Sequence, residues 1–84
     1  MTIEDINETV QVIAHFDTKK IRPLRFFWRD RTYHVSFVNA AWDSKEGNDQ
    51  VVYFSVSTKE SGTFELIYNT GGFLWKIGRV IVDD

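Results

Sequence analysis

The stretch LRFFWRDRTYHVSF, residues 24–37, alternates apolar and polar side chains on either side of a charged centre, and it decides how the chain folds. An alternation of period two is typical of β-strands with one buried face. A two-residue turn at Asp30 and Arg31 places Trp28 opposite Tyr33, because aspartate tolerates the left-handed backbone of tight turns. The shifted register, with Arg31 opposite Trp28, is less favourable. The other predicted inner pairs are Phe26 with Val35 and Leu24 with Phe37.

The same period of two continues along the chain and defines six segments. They comprise residues 10–16, 22–29, 32–39 or 32–42, 51–57, 63–68 and 73–82. Short connections make consecutive strands antiparallel neighbours. Because no predicted helix covers the apolar face, the sheet must curl on itself. The sequence therefore predicts an all-β fold, a single antiparallel meander of five or six strands curled into a small or partly open barrel.

Two further hairpins complete the predicted inner face. A four-residue loop at residues 69–72 brings the last two segments together, with Glu65 opposite Lys76 on the outer face. A loop of three or five residues around residues 59–62 joins the fourth and fifth segments. Gly78 predicts a bulge or bend in the last segment. The predicted inner face comprises Leu24, Phe26, Trp28, Tyr33, Val35, Phe37, Val52, Phe54, Val56, Phe64, Leu66, Tyr68, Phe73, Trp75 and Ile77.

Length and composition limit the chain to one domain, residues 1–84. Of its 84 residues, 43% are hydrophobic and 15% aromatic, so bulky rings can build most of a small core. Residues 1–8 are expected to be frayed or to form one helical turn, whereas residues 9–84 form the β-meander. The absence of cysteine excludes a disulfide framework. Neither a long apolar stretch nor a basic signal sequence occurs, so we expect a cytoplasmic protein with no membrane partner.

Positive charge is concentrated in residues 17–31, which carry six cations and two carboxylates, whereas the whole chain has a net charge of −2. In the predicted register, Arg25, Phe27 and Arg29 point outward, with His34 opposite Phe27. A ring between two arginines can stack a base while the cations contact phosphates, as single-stranded nucleic acid binding requires. The alternative is a solvated face on which the arginine stems cover the ring. The acidic net charge favours this alternative and limits nucleic acid binding to weak affinity.

No combination of residues predicts catalysis or a cofactor. His15 and His34 lie on separate segments, and no acidic cluster has the spacing of a metal site. Neither a nucleophile motif nor a phosphate-binding glycine loop occurs. We therefore expect no enzyme activity, no catalytic residue, no cofactor and no metal.

Trp42 is the tryptophan that lies outside the predicted inner face, and it precedes a polar loop at residues 43–49. A bulge near residues 39–41 would turn its side chain into the core, which is the usual environment of a tryptophan. Exposed at the loop, Trp42 would instead be an interface anchor. Of these two environments we expect the buried one.

Two stretches of the chain carry a recognisable combined pattern. Residues 26–35, FFWRDRTYHV, followed by Trp42, match the pattern apolar-x-Trp-Arg-Gly-Arg-x-Tyr-x-Val with a later Trp. Asp30 stands where this pattern has glycine. Residues 62–68, GTFELIY, are followed by Gly72, Trp75 and Arg79-Val80. Together they resemble a family of short bacterial all-β domains of unknown function, similar to the C-terminal piece of some inactive Y-family translesion polymerase homologues. The resemblance implies no catalytic residue, and it implies protein docking, with replication or repair machinery as the partner.

The sequence thus predicts a non-enzymatic small β domain that acts as a protein-interaction module, through an exposed sheet edge or the Trp42 loop. The alternative is a weak single-stranded nucleic acid binding module that uses the outward Arg25-Phe27-Arg29 face. The candidate binding residues are Arg25, Phe27, Arg29, His34 and Trp42.

Overall fold

The structure, a computed structural model, describes residues 1–82 as a ring of six antiparallel β-strands. The strands are β1 (Thr2–Phe16), β2 (Ile21–Trp28), β3 (Arg31–Glu46), β4 (Asp49–Thr58), β5 (Thr63–Asn69) and β6 (Leu74–Val82). Each strand pairs with the next, and β1 also pairs with β6. The strands are not arranged evenly round an axis, so they form a small, partly open barrel-like sheet. The predicted all-β antiparallel meander is confirmed. Residues 1–82 contain no helix that is long and apolar enough to cross a membrane.

Two strands divide their pairing between two neighbours, and this opens one side of the barrel. Residues 2–10 of β1 pair with β6, whereas residues 11–16 pair with β2. Residues 31–34 of β3 pair with β2, whereas residues 35–46 pair with β4. The hydrogen-bonded ladder between β2 and β3 therefore ends while both strands continue.

The N-terminal segment closes the ring, which corrects the prediction that residues 1–8 are frayed or form a helical turn. Thr2–Phe16 is one continuous strand, and its first half pairs with β6. Ile6 packs against the core, and Glu8 accepts hydrogen bonds from the side chains of Trp28 and Arg29. The edge of β6 needs a hydrogen-bonding partner, and the acidic segment supplies one while its carboxylates stay exposed.

The β2–β3 hairpin turns at Arg29 and Asp30, one residue earlier than predicted. Trp28 pairs with Arg31 rather than with Tyr33. Both turn residues have positive φ, 50° and 63°, as a type I′ turn requires. This register, with Arg31 opposite Trp28, is stabilised because guanidinium groups lie over the rings. Arg29 lies 4.3 Å from the ring centroid of Trp28, and Arg31 lies 5.4 Å from that of Tyr33.

The loop between β5 and β6 comprises residues 70–73, one residue later than predicted. Asn69 remains in β5, and its side-chain Oδ1 accepts the backbone N–H of Gly71 at 2.8 Å. This Asx-type contact stabilises the turn that follows the strand. Phe73 consequently belongs to the loop, where its φ is 55° and 77% of its surface is exposed.

Gly78 lies in a β-bulge of β6, as predicted. The register between β5 and β6 shifts here, so Gly78 and Arg79 lie opposite Glu65 alone. The predicted Glu65–Lys76 pair is wrong because the later β5–β6 loop pairs Lys76 with Ile67. Glu65 instead accepts a hydrogen bond from Arg79 Nη2 at 3.3 Å. The bulge also returns Val80 to the core, where it is 5% exposed.

The core is a cluster of aromatic and aliphatic side chains inside the ring. Phe26 is fully buried, with its ring centroid 5.2 Å from that of Tyr33 and 5.0 Å from that of Phe64. The five residues between Ser57 and Thr63, the last pair of the β4–β5 ladder, keep Phe54 on the same face as Phe64, as predicted. The buried cluster comprises Val10, Phe26, Tyr33, Phe54, Val56, Phe64, Leu66, Tyr68, Trp75, Ile77 and Val80.

Besides Phe73, two residues of the predicted inner face are exposed because each lies at a bulge. Leu24 is skipped where the β1–β2 register shifts, and Pro23 is buried in its place. On β3 the register shifts between Val35 and Phe37, which turns Phe37 to the outer face, where 70% of its surface is exposed. An extra residue reverses the inward and outward alternation that follows it.

Candidate functional site

The predicted row of Arg25, Phe27 and Arg29 is broken at the β2–β3 turn. Arg25 and Phe27 are exposed on one face of β2, where Arg25 pairs with His34 and Phe27 pairs with Thr32. Arg29 lies in the turn and leaves this face. The structure therefore brings together two members of the predicted row, with His34 beside Arg25 rather than beside Phe27.

The carboxylate of Glu8 engages Arg29. Arg29 Nη2 donates to Glu8 Oε2 at 3.0 Å, and Trp28 Nε1 donates to Glu8 Oε1 at 2.9 Å. These hydrogen bonds, the one from Trp28 first, hold the pKa of Glu8 below its ordinary value. With its charge paired to Glu8 and its Cζ 4.3 Å from the Trp28 ring centroid, Arg29 is less available to a phosphate.

His34 anchors the β4–β5 loop. Its backbone N–H donates to Glu60 Oε1 at 2.7 Å, and its ring Nδ1 lies 2.7 Å from Glu60 Oε2. The backbone N–H of Lys59 donates to the carbonyl of His34 at 2.9 Å. The hydrogen bond from the His34 side chain, followed by the one from its backbone, lowers the pKa of Glu60. Within residues 1–82, no group of three or more metal-ligating side chains occurs.

Trp42 lies on the outer face of β3 and is 45% exposed, so the expected burial is wrong. Its ring stacks on that of its cross-strand partner Tyr53, with centroids 5.4 Å apart and planes 3° from parallel. Two register shifts precede it on β3, one between Val35 and Phe37 and one between Val38 and Ala40. The second shift cancels the reversal caused by the first, which leaves Trp42 outside the barrel.

A groove of about 720 Å³ lies where β2 and β3 separate. One wall is the β1–β2 turn with its flanking residues, which include Lys19, Lys20 and Arg22. The opposite side is formed by β3 and β4, with Val38 and Phe54 among the lining residues. Both have side chains on the inner face of the sheet, since they lie in register with the buried core positions of β4 and β5. The groove is thus the open side of the barrel, apolar along the sheet and basic along the turn.

The β3 strand presents an open edge to this groove. Among the residues that the structure describes, β3 has no paired strand on the side opposite β4 after His34. The two bulges of β3 precede Ala40, and pairing with β4 is regular from Ala40 to Glu46. This regular stretch is seven residues long, which is sufficient to pair with an added strand.

The direction of the open hydrogen-bonding groups follows from the β3–β4 turn. Two residues separate Glu46 from Asp49, which form the last pair of the ladder. In two-residue hairpins this last pair is hydrogen-bonded, and bonding then alternates along the strand. The backbone N–H and C=O groups of Ala41, Asp43 and Lys45 therefore point away from β4, toward the open side.

Sequence reasoning identified the basic charge of residues 17–31 but assigned it to the outer face of β2, and it took residues 43–49 for a mobile loop. The available signal was the dipeptide Gly47-Asn48, because glycine at the first position suits a two-residue type II′ hairpin. In the structure Gly47 has a φ of 65°. A two-residue turn at Gly47-Asn48 predicts that β3 extends to Glu46 and therefore has a long open edge.

In comparisons with protein-family models, curated proteins and solved structures, nothing matches this chain.

Proposed function

We propose that this chain is a non-enzymatic protein-interaction module that adds an extended segment of a partner to the open edge of β3. The pairing of β3 carries the proposal: residues 35–46 bond to β4 on one side, while the other side borders a groove. Main-chain hydrogen bonds along such an edge provide affinity, and pockets for alternate side chains provide specificity.

Charge favours a partner segment over a second copy of the chain as the occupant. Lys19, Lys20 and Arg22 line the groove, so an acidic segment is attracted to it. The β3 stretch from Ala40 to Glu46 carries two carboxylates and one lysine. Antiparallel pairing of two copies about Ser44 would place Asp43 opposite Lys45, but it would bring a net charge of only −1 to the basic turn. A dimer in solution is therefore the competing outcome, and it is detectable by light scattering of the free protein.

The biological setting of the module is part of the same proposal. The resemblance of residues 26–35 and 62–68 to short bacterial β domains supports a cytoplasmic protein whose partner belongs to replication or repair machinery. Because some translesion polymerase homologues carry a similar C-terminal piece, we expect the docked segment to belong to a protein of that machinery.

A random dodecapeptide library displayed on phage tests the proposal with the intact chain. Ala41→Pro removes an N–H that points away from β4, which an edge strand tolerates, whereas Ala41→Val keeps the N–H and adds a similar volume. We expect peptides selected on the unmodified chain to bind the valine variant and to lose binding to the proline variant. Equal binding to both variants, or no enrichment, would refute docking on β3.

The exposed Arg25 and Phe27 keep single-stranded nucleic acid binding as the alternative function. With Arg29 bound to Glu8, few phosphate contacts remain, so only weak and salt-sensitive affinity is expected. Fluorescence anisotropy with a labelled dT15 oligonucleotide at two salt concentrations measures it. A loss of binding in Phe27→Ala, with an unchanged melting temperature, would favour this alternative, since a stacked base contributes roughly 1–3 kcal/mol.

A further inference from the structure

The groove beside β3 selects the chemistry of the segment that docks there. We propose that this segment carries an acidic residue two positions away from a large apolar residue, and that both side chains enter the groove. This inference rests on the proposed docking along β3 and adds the identity of the residues that are recognised.

The apolar part of the groove is formed by side chains on the inner face of β3 and β4. Val38 is 39% exposed, and Ala41 offers a small side chain beside it. Val52 and Phe54 of β4 line the same space. The volume of about 720 Å³ is within the range of about 300–1,000 Å³ typical of ligand pockets. Insertion of a leucine or phenylalanine would cover apolar surface that the separation of β2 from β3 leaves in contact with water.

The cations of the groove are unpaired, whereas its carboxylates are engaged. Within residues 1–82, none of Lys19, Lys20 and Arg22 forms an ion pair. Asp17 accepts hydrogen bonds from the Thr18 hydroxyl at 3.2 Å and from the Lys19 backbone N–H at 3.3 Å, which shape the β1–β2 turn.

On the opposite side of the groove, the carboxylate of Asp43 accepts a hydrogen bond from Gln50 Nε2 across the β3–β4 hairpin. Both carboxylates keep their charge, so three cations against two carboxylates leave the groove a net charge of +1 to attract an anion.

The spacing of the recognised residues follows from strand geometry. Side chains of an added strand alternate between its two faces, so residues i and i+2 both point to the groove, about 7 Å apart. Because both linings belong to one groove, one of these side chains can contact Val38 while the other contacts the lysines of the turn. An acidic residue and an apolar residue at positions i and i+2 therefore match the basic and the apolar parts of the groove.

The peptides selected from the phage-displayed dodecapeptide library test this inference. We expect an acidic residue and a Leu, Ile, Phe or Met at i and i+2, in either order, to be enriched among those that require the Ala41 N–H. Binding of such a peptide should weaken about 2- to 10-fold in Lys19→Gln/Lys20→Gln, as expected for one or two exposed ion pairs. The matched variant Lys59→Gln/Lys76→Gln removes two exposed cations elsewhere and should leave affinity unchanged.

The outcomes separate this inference from the proposed function. Selected peptides that require the Ala41 N–H but carry no acidic residue would overturn the inference and leave docking on β3 intact. An equal loss in the two double variants would also overturn it, because net charge alone would then explain the attraction. Absence of any peptide that distinguishes Ala41→Pro from Ala41→Val would overturn both.

Discussion

Replacing Phe26, the fully buried ring of β2, should remove a large share of the stability of this domain, whereas replacing its neighbour Phe27 should not. Phe26 is 0% exposed and packs against Tyr33 and Phe64, while Phe27 is 38% exposed on the other face of the strand. Burial of a phenylalanine removes roughly 150–250 Å² from water, or about 4–6 kcal/mol at 25 cal/mol per Å² as an upper estimate. Core Phe→Ala substitutions typically cost about 3–5 kcal/mol.

A domain of 84 residues has a total stability of about 4–13 kcal/mol, so Phe26→Ala can leave the chain largely unfolded. Phe26→Leu keeps most of the volume and loses the ring contacts, which should cost about 1–2 kcal/mol. Urea unfolding followed by tryptophan fluorescence measures each free energy of unfolding. Phe27→Ala should cost less than about 1 kcal/mol. If Phe27→Ala costs more than Phe26→Leu, the two faces of β2 are inverted and the account of the core is wrong.

Three further predictions test the turns, the bulge and the carboxylates. Asp30→Gly should stabilise the protein by up to about 1 kcal/mol, because Asp30 has a φ of 63°, a backbone conformation that glycine adopts without strain. Arg31→Gly should destabilise it by about as much. The reverse order of melting temperatures would show that the turn lies at Asp30 and Arg31. Gly78→Ala should cost about 1 kcal/mol, because an added Cβ would displace the ends of the Glu65 and Ile67 side chains, whereas Gly72→Ala meets contacts no closer than 3.8 Å; equal melting temperatures would contradict the packing at the bulge. The hydrogen bonds from His34 lower the pKa of Glu60, so this carboxylate stabilises the fold above its unfolded pKa of about 4.3, and the contribution is lost as pH falls through the folded pKa. Glu60→Gln should therefore flatten the decline in melting temperature between about pH 5 and 3. An unchanged slope would show that the contact with His34 is not formed.

Alternation is a local property, so the sequence was sufficient to predict most of the buried positions, but not the exposure of Leu24, Phe37 and Phe73. It was not sufficient to predict register. Pairing Trp28 with Tyr33 maximised apolar contacts, but the structure places Arg31 opposite Trp28 and stacks guanidinium groups on the rings. Counting apolar pairs omits this contribution. It also omits Glu8, twenty residues before Trp28, which accepts the indole hydrogen bond and joins the N-terminal strand to this hairpin.

The candidate site was harder to predict than the core because it depends on irregularities. Bulges change which side chains point inward. Pro23, the single proline, lies beside the bulge at Leu24, whereas the bulge before Phe37 has no glycine or proline to mark it. The groove exists because β2 and β3 separate after His34, which is a property of the whole ring. Trp42 and the positive charge of residues 17–31 stand out in the sequence, but it is the arrangement of the six strands that places both beside the same groove.

Amide hydrogen exchange along β3, followed by NMR, tests most directly whether this strand is an open docking edge. In the free protein, the N–H groups of Ala41, Asp43 and Lys45 should exchange fast, while those of Trp42 and Ser44, which bond to β4, should be protected. Addition of a peptide selected on the intact chain should slow exchange at the three fast positions and leave the other two nearly unchanged. Protection at Ala41, Asp43 and Lys45 in the free monomer, or continued fast exchange with saturating peptide, would contradict the account.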